Sequence, residues 1–122
     1  MTAAEAYHGF WAGFGIPVFE ENAVPDGAGV PCLTYRYGEG RGPAALSVSW
    51  WGRSASWLEA REFAERVSAR LPEGGVTIPF GGGLLWILRG EPFAVSMGDE
   101  GDPYMKRVLF NVTARVYGGG AG

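Results

Sequence analysis

The chain has 122 residues, a net charge of −3 and one cysteine, Cys32. That length suits a single domain able to bury a core without staples. The weakly acidic balance, with arginines scattered among acids, excludes a basic face for phosphate backbones, and a lone cysteine excludes an internal disulfide. Residues 2–14 follow. Ala3, Tyr7, Phe10, Trp11 and Phe14 fall on one helical stripe, and Thr2 with Glu5 forms a capping box. Gly9 and Gly13 weaken this helix, with close packing as the expected compensation. Gly15 and Pro17 stop it. Ile16–Phe19 reads as a short extended piece. A loop rich in proline and glycine comes next, with Pro25-Asp26-Gly27 as its turn. Pro31 introduces a strand over 32–37, with Cys32, Thr34 and Arg36 on one face. Cys32 reads as a small buried apolar residue. Residues 38–43 form a glycine-rich hairpin loop, expected to order only with a partner.

The next stretch, 44–71, carries the clearest local signal. Leu46, Val48 and Trp50 alternate with Ser47, Ser49 and Trp51, and the period then becomes helical at Ala60, Phe63, Ala64, Val67 and Leu71. Ser56-Trp57-Leu58-Glu59 reads as a second capping box, and Pro72 ends the helix. Residues 76–80 and 84–89 make a hairpin about Gly81-Gly82-Gly83. Its second strand, apolar on both faces, belongs in the middle of a sheet or in an interface. Gly90-Glu91-Pro92 is expected to break it before a short apolar strand at 93–97. An acidic loop, 98–103, leads to a long alternating strand over 104–117. The expected fold is α+β, an antiparallel sheet with two helices packed on it in the order α–β–β–α–β–β–(short β)–β. Residues 1–117 form one domain and 118–122 a flexible glycine-rich tail.

No stretch carries a recognisable reaction centre. Gly81–Gly83 lacks a following Lys-Ser pair and opens no helix, so it reads as a turn and not as a phosphate cradle. Asp99, Glu100 and Asp102 lack the twelve-residue calcium pattern and read as a solvated loop. His8 is the sole histidine, with neither a metal pair nor a nucleophile elbow to serve. No enzyme, metal or cofactor is expected. The tryptophans are surplus to one small core, and adjacent Trp50 and Trp51 must face opposite ways. Trp51, Arg53, Ser54 and Trp57 therefore stand as candidates for a partner surface, since tryptophan and arginine anchor interfaces. Trp86, Arg89, Phe93, Met97, Asp99 and Asp102 are further candidates. No run of residues reaches the roughly twenty apolar positions of a membrane span, and no signal peptide is visible, so the cytoplasm is the expected place of assembly.

Taken in order, several segments resemble one family. They are Phe14-Gly15-Ile16-Pro17-Val18-Phe19-Glu20-Glu21-Asn22-Ala23-Val24-Pro25-Asp26, then Pro31–Tyr35, Leu46–Trp57, Gly83–Gly90 and Pro92–Asp99 with the closing strand. The chain resembles the tail-terminator proteins of long-tailed bacteriophages, also described as tail-completion or head–tail joining proteins. The resemblance implies a structural virion protein of the tail–neck region, assembled in the host cytoplasm. It implies a ring, usually a hexamer, that ends polymerisation of the tail tube and joins the tail to the head connector. The implied partners are further copies of the chain, the tail-tube protein and the connector or stopper. DNA passes through the lumen without specific binding, which suits the weak negative charge. Two alternatives stand beside it: another connector component, stopper or adaptor, and a small ligand-binding domain.

Overall fold

A computed structural model describes residues 1–38 and 44–118. The loop expected at 38–43 falls mostly outside the described residues, as does the tail beyond Gly118. Helix α1 spans Ala3–Ala12, and strands β1, β2 and β3 span Val18–Glu20, Cys32–Tyr35 and Ala44–Arg53. Helix α2 (Leu58–Arg70) is followed by β4 (Val76–Phe80), β5 (Gly83–Asp99) and β6 (Asp102–Gly118). All six strands join one sheet in the order β1-β2-β3-β6-β5-β4.

The sheet corrects the expected fold class. It is mixed and not antiparallel, because β1 runs parallel to β2, with Val18 opposite Leu33 and Glu20 opposite Tyr35. It is also curled into a half-barrel: α1 touches β4 and β5 near one end of the strand order and β1 at the other. The order is α–β–β–β–α–β–β–β, a β-rich fold. Two sets of hydrogen bonds between residues distant in the chain contribute to the difference. Leu33 N–H donates to Pro17 O and Glu21 N–H to Tyr35 O, so the short piece after α1 is stitched into the sheet as a strand. Gly90-Glu91-Pro92 does not end β5. The strand absorbs these residues as an irregularity between Arg89 and Ala94, and Asn111 Nδ2 of the neighbouring strand donates to Pro92 O at 2.8 Å.

The helix-side face of the sheet carries Leu33, Tyr35, Leu46, Val48, Trp50, Leu85, Ile87, Val108, Phe110 and Val112, all buried. Tyr7 and Trp11 of α1, Phe14 just past its end, and Ala60, Phe63 and Val67 of α2 close over them. Aromatic contacts bind the layers, Trp50 stacking on Phe63 with ring centres 5.8 Å apart. The α1 capping box forms as expected: Glu5 N–H donates to Thr2 Oγ1 and Thr2 N–H to Glu5 Oε1, at 3.1 and 2.9 Å. That of α2 does not. Leu58 is the first helical residue, Trp57 is the N-cap without a side-chain bond, and Ser56 Oγ accepts only from Leu58 N–H at 3.3 Å. The α1 glycines also divide. A Cβ at Gly13 would stand 2.9 Å from the Arg70 guanidinium, whereas one at Gly9 would meet nothing within 4 Å, so close packing accounts for Gly13 alone.

Arginines tie the helix ends together. Arg66 and Arg70 of α2 donate to Phe14 O and Gly13 O at the end of α1, each at 2.6 Å. Arg89 of β5 donates to Leu71 O (2.6 Å) and Ser68 O (3.0 Å) at the end of α2. The last carbonyls of a helix lack partners of their own and carry negative partial charge, so cationic donors suit them twice over.

Candidate interface on the outer face of the sheet

Both helices lie on one side of the sheet. The outer face presents the alternate residues: Cys32 and Thr34 on β2, Ser49 and Trp51 on β3, Met105, Arg107 and Leu109 on β6, Val95 and Met97 on β5. Register sets them side by side, Cys32 opposite Trp51, Trp51 opposite Arg107 and Arg107 opposite Met97.

Trp51 is the centre of this face. It is half-buried; its indole Nε1 donates to Thr34 Oγ1 at 2.9 Å, and the Arg107 guanidinium lies over its ring, 4.7 Å from the centroid. Arg107 Nε also donates to buried Ser49 Oγ at 3.0 Å, so its charge is fixed flat against the indole. Two grooves flank this pair. One, of about 330 Å³, lies under the loop after β1 and is lined by Val24, Ala28, Val30, Cys32, Thr34, Trp51 and Met105 among others. The second, of about 270 Å³, runs from Trp51 past Met97 to Asp99 and Glu100. Val24, Val30 and Met97 each leave about two-fifths of their surface exposed, at 40, 39 and 39 %. Cys32 is buried at the floor of the first groove, and burial pushes its thiol up, away from the reactive thiolate.

Most of the other expected contact residues do not line these grooves. Trp57 lies on the helix side, packed against the core with Lys106 Nζ 5.3 Å over its ring, so the sheet separates it from Trp51. Ser54 N–H donates to Tyr104 O at 2.8 Å, a bond inside the fold. Arg53 pairs with Asp102 at 2.5 Å. The Asp102 carboxyl also accepts from Tyr104 N–H at 3.0 Å, and this bond first and the arginine second hold it below the usual carboxylate range. Trp86 is on the outer face but donates to Gly74 O at 3.1 Å. Arg89 serves the end of α2, and Phe93 lies beneath it, packed on Phe110 in the core. Asp99 Oδ1 accepts from Gly101 N–H at 2.8 Å and shapes the tip of the β5–β6 hairpin. Of the sequence candidates, the outer groove thus joins Trp51, Met97 and Asp99, and it adds Val24, Val30, Met105 and Arg107. Alternation placed Arg107 and Trp51 each on a face of its own strand, but only the β3–β6 register makes those faces one.

His8 Nδ1 bonds Tyr35 Oη at 2.9 Å, and burial raises the Tyr35 phenol, so that pair belongs to the packing of α1 on β2. Among the described residues no group of three or more His, Cys, Asp or Glu converges as metal ligands would, and no helix is long and apolar enough to cross a membrane. No family model, curated protein or solved structure matches the chain.

Proposed function

We propose that this protein is a structural subunit of a phage neck, forming a ring at the head-proximal end of the tail tube. There it ends tube polymerisation and offers the docking surface for the head connector. Its partners are further copies of itself, in a ring that is a hexamer by resemblance, then the tail-tube protein and the connector or stopper, with DNA passing through the lumen unbound. The observation that carries this reading is the outer face: a helix-free sheet surface on which Trp51, held by Thr34 and Arg107, sits between two open grooves, one largely apolar and one with an acidic end. A rigid aromatic with a stacked arginine is the composition that anchors protein interfaces. Cyclic rings also need two different adhesive surfaces on each subunit.

Deleting the gene and imaging the particles tests the proposal. Tails of abnormal length or tails unattached to heads are expected; normal virions overturn it. Cross-linking separates terminator from stopper or adaptor, since a terminator joins to the tube protein.

A further inference from the structure

β5 outruns the strand that flanks it. β4 pairs only with Gly83–Ile87, while β5 continues to Asp99 along β6. From Phe93 to Gly98 its outward edge has no strand partner among the described residues. At about 3.4 Å per residue this is roughly 20 Å of extended backbone, with every second residue turning its N–H and C=O away from β6. The segment Phe93-Ala94-Val95-Ser96-Met97-Gly98 holds neither charge nor proline, and Ala94, Ser96, Met97 and Gly98 are exposed. Sheets ordinarily blunt such an edge with lysine, proline, a bulge or a covering loop. Here Glu91, Pro92 and the irregularity after Arg89 guard its root and a second register shift, between Gly98 and Asp99, its tip, while the residues between carry no such device.

Charge narrows what fits. Exposed Glu91 stands at one end of this edge and exposed Asp99 and Glu100 at the other. The neighbouring cations are committed elsewhere: Arg89 to helix carbonyls, Arg107 to Trp51 and Ser49, Arg53 to Asp102, and buried Lys106 to Pro103 O and the Trp57 ring. Of the two strands that end the sheet order, β4 carries Pro79, which cannot donate to an added strand, and β1 ends at Glu20 and Glu21, the latter shared with Arg36 at 3.0 Å. Joining the β5 edge of one copy to β5 or β1 of another sets acid beside acid, which cross-strand pairing penalises.

We infer that the β5 edge receives, by strand addition, an extended segment of a different polypeptide, uncharged and β-branched at its centre and carrying Lys or Arg at both ends. Main-chain hydrogen bonds supply the affinity and the basic flanks select the partner. The inference reaches beyond a role in the neck, because it concerns the chemistry of this edge in whatever assembly holds the chain.

The probe is the peptide acetyl-Lys-Arg-Thr-Val-Thr-Val-Thr-Arg-Lys-amide, titrated into the isotope-labelled full chain. Saturable binding is expected, with slowed amide exchange at alternate residues of Phe93–Gly98. The doubly substituted Glu91→Lys, Glu100→Lys chain should bind roughly tenfold more weakly while melting where the parent does. An analogue N-methylated at alternate central residues should not bind. Absence of binding at millimolar peptide, protection elsewhere, or equal binding of the N-methylated analogue overturns the inference. So does self-association that Ser96→Lys abolishes, since that would put a second copy on the edge.

Discussion

Gly52 and Trp50 share one face of β3, two residues apart, and the indole leans forward along the strand over the glycine. A Cβ at Gly52 would stand 2.1 Å from the ring of Trp50, which is only 1 % exposed and hemmed in by Phe63. Neither can retreat, so Gly52→Ala should cost about 1–3 kcal/mol, read as a lowered midpoint in urea with an unchanged slope. At the hairpin tip the relevant group is Asp102. A carboxyl depressed in the folded state contributes stability that is complete above the unfolded aspartate value and is lost as pH falls through the depressed one. The contacts of Asp102 with Tyr104 N–H and Arg53 should therefore hold from neutrality down to about pH 4 and loosen below it. Exchange of the Tyr104 amide, corrected for intrinsic rate, should rise only in that acid range, and Asp102→Asn should flatten the profile.

At the scale of elements, strands whose two faces meet different surroundings were plain in the sequence. The alternation of β3 and β6 lies in Leu46-Val48-Trp50 and Val108-Phe110-Val112, and the α1 cap lies in Thr2 and Glu5, because these depend on neighbours in the chain. What could not be read locally was set by distant groups. Ser56 and Glu59 match a capping box in spacing, yet the packing of Trp57 against the core and Lys106 makes Trp57 the N-cap. Gly90-Glu91-Pro92 looks like a break, yet Asn111 on β6 holds the strand through it. Arg89 had the look of a contact residue because its two carbonyl partners lie about twenty residues back, on α2. Its loss orphans both acceptors. Arg89→Ala should cost about 2–3 kcal/mol in chemical denaturation, and Arg89→Lys should recover only part, since an ammonium cannot reproduce the paired geometry of the fork.

For the whole molecule, the curl of the sheet and the parallel β1–β2 pair arise from α1 gathering both ends of the strand order, a long-range packing outcome with no local signature. The candidate site was half legible: Trp51 stood out as a tryptophan too many, while its groove depends on the register of three strands and on the loop bearing Val24 and Val30. The two-sided sheet separates the adjacent tryptophans in a measurable way. Trp50→Ala removes a fully buried ring and should cost about 3–5 kcal/mol. Trp51→Ala should cost roughly half that, because only part of its surface is buried, yet it should abolish the assembly proposed above. Equal destabilisation by the two, with assembly intact, would make Trp51 a core residue.

The strand order has a consequence for biosynthesis. β6, made after the other five strands, is the one that joins β3 to β5, and so unites the β1-β2-β3 half with the β4-β5 half. While the ribosome is still adding residues before Asp102, the nascent chain holds two partial sheets, each with an apolar margin waiting for the same missing strand. Completion of the fold must therefore follow translation of residues 102–118, and the interval before it is when the polypeptide is most exposed to chaperones, proteases and mispairing.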